Sequence, residues 1–125
     1  MHEFSSFEIQ FDQTDDDKYI RAVRFNLIRR NGDIKAGAFK SNRGGVSVTR
    51  TNKVLLNRAL AYMKSHFEGE QVAFPVTVCG ENDIYEKHSP SPGHNLNHWE
   101  LYGDKDLNAL SDDQIDALID ASVFM

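Results

Sequence analysis

Cysteine is almost missing from this chain of 125 residues, where Cys79 stands alone. One thiol cannot close an intramolecular disulfide and supplies no zinc framework, which fits a reducing compartment. Long apolar runs are lacking too. None approaches the roughly 20 residues that span a bilayer, so no membrane partner is expected. The opening stretch MHEFSSFEIQF is acidic and has no charged n-region leading into an apolar h-region. No secretory signal is therefore read there, and a cytoplasmic location is the expectation. The phosphate-loop pattern GxxxxGK followed by Ser or Thr is missing, as are GxGxxG and the GxSxG nucleophile elbow. The acids Asp15-Asp16-Asp17 do not follow EF-hand spacing and read as a solvated turn. There is no internal repeat and no low-complexity tract.

What is present is an ordinary soluble composition, 40% apolar and 26% charged, of a length that suits a single domain over residues 1–125. The net charge of −5 is unevenly placed. Between Lys18 and Lys64 stand twelve Lys and Arg against one acid, Asp33, while the flanks hold the other eighteen acids. An acidic–basic–acidic chain points to an anion-binding middle, whose field would attract phosphates. The plainer account is that folding mixes flanks and middle into a solvated surface of weak ion pairs.

Asn31-Gly32 is a strong hairpin signal. A two-residue loop there places Arg30 opposite Asp33, Arg29 opposite Ile34, Leu27 opposite Ala36 and Phe25 opposite Ala38. One sheet face then carries Val23, Phe25, Leu27, Ile34, Ala36 and Ala38, and the other carries Arg24, Asn26, Arg30, Asp33 and Lys35. Tyr19, Ile20, Val23 and Leu27 also fit a helical stripe, but the turn and the β-rich composition decide for strand. Phe7, Ile9 and Phe11 alternate with polar residues as a half-buried strand does. Residues 46–49 read as a short strand. A helix capped by Thr51 or Asn52 runs to about Phe67, its stripe being Leu56, Leu60, Met63 and Phe67. Val72, Phe74, Val76 and Val78 alternate through another strand, at an edge or bulged at Pro75. Residues 80–97 read as a long loop, and 97–102 as a strand with His98, Glu100 and Tyr102 on one face. Ser111 and Gln114 form a capping box for a C-terminal helix with Ile115, Leu118, Ile119 and Phe124 inward.

Two constellations bear on chemistry. EKHSPSPGHNLNHWE gathers Glu86, His88, His94, His98 and Glu100. Its spacing matches no metal motif, so no metal or cofactor is assigned. His94 or His98 with Glu100 is the candidate acid–base set, against the plainer account of exposed loop histidines. Arg43-Gly44-Gly45 with Ser47 and Arg50 is the candidate anion grip, since glycine amides and arginine forks suit phosphate. There the plainer account is a turn into the next strand. Nucleic acid is the less favoured partner, with Phe39 or Tyr62 offered for stacking.

Short segments, Ala38-Phe39, Val46-Ser47-Val48 with Arg50, and Asn95 or Asn97 with His98 through Gly103, resemble those of small uncharacterised bacterial proteins. The resemblance spans about residues 25–103 and implies a bacterial or phage-borne accessory protein. It supplies no mechanism.

The expected fold is α+β, a mostly antiparallel sheet of about four to six strands with an Asn-Gly hairpin, a central amphipathic helix and a C-terminal helix. The leading functional expectation is a non-enzymatic module binding an anionic small molecule or a protein partner through Arg24, Arg30, Arg43, Ser47 and Arg50. The alternatives are an enzyme on a nucleotide or phosphorylated substrate, and an interaction module using the C-terminal helix.

Overall fold

The computed structural model describes residues 7–42 and 44–125. Lys18–Val23 (β1), Val46–Thr51 (β2) and Glu70–Pro75 (β3) form the middle of an antiparallel sheet. Tyr85–His88 (β4), His98–Tyr102 (β5) and Val123–Phe124 (β6) extend it in the order β4-β5-β2-β1-β3-β6. The described residues thus make the expected α+β fold, with every strand pair antiparallel.

Strand alternation divides the sheet into two unlike faces. Tyr19, Val23, Val46, Val48, Val72, Phe74 and Leu101 point one way, into a core closed by Thr77–Glu81 (α2), Asp112–Ala121 (α3) and a short 3-10 turn at Ala36–Phe39. Ile20 and Ala73 point the other way, under Leu56–His66 (α1), where they meet Phe7, Ala59, Tyr62 and Met63. The Asn52 side chain accepts the Leu55 amide at 2.9 Å, capping the turn that leads into α1. The capping box of α3 forms as expected, and its Gln114 amide donates to the carbonyls of Gly103 and Asn82 at 3.0 and 3.1 Å. Ile115 and Leu118 are buried, so the apolar face of α3 is spent on the core.

Several local expectations are corrected. Asn31-Gly32 does turn the chain, but through three residues, with Gly32 at φ +93. The Arg29 amide donates to the Asp33 carbonyl and the Gly32 amide to the Arg29 carbonyl, so Ile28 faces Ile34. That register is one residue away from the two-residue reading, and a one-residue slip exchanges the faces. The arms are 3-10 turns at Phe25–Leu27 and Ala36–Phe39 in place of long strands, so no cationic sheet face arises there. Pro75, which has no amide to give to a ladder, ends β3, and Val76 already has helical angles, so the alternation over 72–78 breaks into α2. The 80–97 stretch is not one loop, because β4 lies within it as an edge strand. Phe7 makes a single bridge to Asn95, and the segment after it alternates in burial without joining the sheet. Phe67 leaves the helix in an extended conformation and half exposed, while Phe124 pairs with Val72 in β6.

Candidate functional site

The α1 face of the sheet is only partly covered. α1 lies over Ile20, Ala73 and Thr49, whose hydroxyl donates to Met63 Sδ at 3.3 Å, and the β2–β5 part beside it carries the polar side chains of Ser47, His98 and Glu100. A groove of about 1140 Å³ remains over these strands. Its floor follows from register. Ser47 is the direct partner of Glu100, and Thr49 of His98, so the candidate anion-grip and acid–base segments adjoin although some fifty residues separate them in sequence. Arg21, Arg24, Phe25 and Asn26 line the groove where β1 ends, and Tyr62, Met63, His66, Phe67 and Glu68 line it from α1. Ser89, Pro90, Ser91 and Asn95 close it beyond His98.

Hydrogen bonds orient several of these groups. The Ser89 carbonyl lies 2.8 Å from His98 Nδ1, and a carbonyl only accepts, so Nδ1 carries a proton and, in the neutral ring, Nε2 is the acceptor. His66 Nδ1 lies 2.9 Å from the Ser65 hydroxyl and 3.0 Å from the Tyr62 carbonyl, which hold the ring in place. The Asn95 amide donates to Thr49 Oγ1 at 2.9 Å and ties the 89–97 segment to the floor. Arg21 gives Nε to the Ala38 carbonyl and Nη1 to the Ser47 carbonyl, at 3.0 and 2.8 Å. Burial holds its guanidinium below the ordinary arginine range. Arg24 is exposed, and its side chain makes no hydrogen bond or ion pair among the described residues. Burial pushes the Tyr102 phenol up from its ordinary value, aided by the charge of Glu100 on the same face.

The candidate residues separate into groups. Ser47, His98, Glu100 and Arg24 share the groove. His94 is exposed outside it, and its backbone carbonyl accepts the Phe7 amide. Arg30 is exposed at the tip of the Asn31-Gly32 turn. Arg43 lies outside the described residues. Arg50 is on the opposite face and already has its anion. Its Nε meets Asp17 Oδ2 at 2.8 Å, its Nη2 donates to the Thr14 carbonyl at 3.0 Å, and Asp17 is fully buried. The Tyr19 and Trp99 rings flank that guanidinium at 5.8 and 5.2 Å. Among the described residues, Arg24, Arg30 and Arg50 are thus scattered and form no single cationic surface. The Gly44 amide is given to the Ser41 carbonyl, which makes Gly44-Gly45 a turn into β2. Phe39 and Tyr62, offered for stacking, are buried.

The histidine-rich stretch is divided by the sheet. Glu86 and His88 share a face with Leu101 and Trp99, and His98 and Glu100 lie on the other. Glu86 accepts the Tyr19 hydroxyl at 2.6 Å, and His88 stacks on Trp99 at 4.7 Å. Among the described residues no group of three or more His, Cys, Asp or Glu side chains converges on one point. No described helix is long and apolar enough to cross a membrane. Residues that sequence reasoning passed over are Arg21, Phe25, His66, Phe67 and the serines of 89–91. Nothing local marks them, since they become neighbours only when β1, α1 and β5 share one sheet face.

The short-segment likeness to small bacterial proteins yields no assignment. Compared with protein-family models, with curated proteins and with solved structures, the chain finds no match.

Proposed function

We propose that the protein is a binding module for a small anionic ligand, held in the groove over β2 and β5. The observation that carries this reading is that Ser47, His98 and Glu100 stand together on one incompletely covered part of the sheet and that Arg24 lines the same groove. Arg24 offers an exposed guanidinium to the anion. His98 Nε2 and the Glu100 carboxylate are acceptors, so the ligand presents hydroxyl or amine donors to them. Of the expected ligand-binding residues, Arg24 and Ser47 line this groove, while Arg30 and Arg50 do not. The volume, about 1140 Å³, is slightly above the usual range for small-molecule sites, about 300–1,000 Å³. A thermal-shift panel of nucleotides, carboxylates and sugar phosphates tests the reading. A ligand at a hundredfold its Kd stabilises by about 2.7 kcal/mol, a rise of about 10 °C for a chain of this length. Arg24→Ala should abolish that rise, and added salt should reduce it. A rise indifferent to both would refute the reading.

A second reading, an enzyme on a nucleotide or phosphorylated substrate, draws support from His98, because the Ser89 carbonyl holds its Nδ1–H and so makes Nε2 the acceptor in the neutral ring, the form that general-base chemistry uses. Turnover of a bound phosphoester that disappears in His98→Gln while binding persists would establish it. Binding without turnover in the unaltered protein would leave the binding module.

A further inference from the structure

Resting on the groove reading above, we infer that the ligand is an aromatic anion, with its flat ring held among Phe25, Phe67 and His66 and its negative group by Arg24. Phe25 is 65% exposed and Phe67 48%, and single exposed phenylalanines are common on protein surfaces. These two line the same groove, together with His66 and Arg24.

Their proximity has a backbone cause. Gly69 has φ +108, and a Cβ there would come 2.1 Å from the Val23 carbonyl oxygen and 3.0 Å from Arg24 Cα. The chain leaving α1 is therefore pressed onto the end of β1, where Val23 pairs with Glu70. Residues 66–68 and 24–25 are brought together at one end of the groove. His66 lies on Tyr62 with ring centroids 4.3 Å apart and planes 27° apart, and its Nδ1 is pinned by the Tyr62 carbonyl. Tyr62 is buried and His66 exposed, so the stack presents an imidazole face outward. Phe67 meets Tyr62 edge-on at 6.5 Å. The result is an aromatic shelf of Tyr62, His66 and Phe67 in a groove that Phe25 and Arg24 also line.

Flat rings bind such shelves by offset or edge contacts, and an adjacent arginine adds both charge and a stacking plane. A flat protein partner or a lipid surface fits less well, because the site is concave and its floor carries Ser47, His98 and Glu100. The shared chemistry is a ring bearing a phosphate or a carboxylate, and paired probes distinguish the two sources. AMP is compared with ribose phosphate, and indoleacetate with acetate, by titration calorimetry on the full chain with NMR mapping of the groove residues.

At least one ring-bearing probe should bind roughly tenfold tighter than its ringless counterpart. The pair that shows this gain names the anion. The double variant Phe25→Ala/Phe67→Ala should remove the gain and leave ringless binding in place, with some loss of melting temperature because Phe67 is half buried against Tyr62. Arg24→Ala should weaken ring-bearing and ringless probes alike. If the ring adds nothing while a ringless anion still binds through Arg24, the aromatic assignment falls and the groove reading survives. If the double variant keeps the ring's gain, the shelf is elsewhere and the assignment also falls. Failure of all four probes to bind or to shift groove resonances overturns both.

Discussion

Replacing Arg50 by methionine tests whether its guanidinium serves the fold or a ligand. Methionine keeps much of the volume between Tyr19 and Trp99 but leaves the Asp17 carboxylate buried without its counter-ion. Asp17 would retain the Thr14 amide and hydroxyl, at 3.0 and 3.1 Å, and no positive charge. Breaking a buried pair by removing one partner costs about 3–5 kcal/mol. The lost contact with two aromatic rings belongs to the same change, and about 4 kcal/mol is the expected total. At an unfolding entropy of about 2.1 cal/mol/K per residue, that total lowers the melting temperature by about 15 °C. Urea unfolding of wild type, Arg50→Met, Asp17→Asn and the double variant gives the coupling directly. The side chain introduced by Asp17→Asn is neutral, so the double variant should be more stable than the two single losses predict by about 2 kcal/mol. Groove binding by folded Arg50→Met should be unchanged, because the side chain lies on the opposite face. A loss under 1 kcal/mol, or strictly additive losses, would refute the structural role.

Two further outcomes follow from packing and burial. Gly69→Ala combines a left-handed backbone, which costs a side chain about 1–3 kcal/mol, with a Cβ that would overlap the Val23 carbonyl; denaturant unfolding should show a loss above about 2 kcal/mol, and a near-neutral variant would show that the α1–β3 turn packs otherwise. Burial, and then the hydrogen bond and charge of Glu86, push the Tyr19 phenol well above its ordinary value. The unfolded phenol ionises near pH 10 while the folded one keeps its proton, so this contribution is whole below pH 10 and is lost as pH rises beyond it. Urea midpoints from pH 8 to 11 should therefore fall more steeply in wild type than in Tyr19→Phe, and parallel curves would contradict the assignment.

The parts of the fold that could be read in advance were those with a local signal. Ser111 and Gln114 specify a helix start by themselves, and the alternation over 46–49 needs no partner to be recognised. Asn31-Gly32 announced a turn, yet two- and three-residue loops both accept that dipeptide, and the choice between them decides which way every neighbouring side chain points. The run 72–78 misled because alternation continues in the sequence after Pro75 has ended the ladder. For the site, the residue types at 47, 98 and 100 were visible, but their union depends on β5 pairing with β2. The charge count between Lys18 and Lys64 could not register that Asp17, one residue outside it, folds back onto Arg50. Nor could it register that Arg21 is consumed by two backbone carbonyls.

The strand order has a consequence for when the site exists. β1, β2, α1 and β3 are synthesised well before β5, and a chain halted short of residue 98 contains the residues of the aromatic shelf but neither His98 nor Glu100. The polar floor is therefore completed only when one of the most distant pairings in the sheet has closed, and long-range closure is slow compared with forming a helix. Under the proposed reading, an unfinished copy would keep the ring and arginine contacts and lose the floor that selects among ligands carrying them.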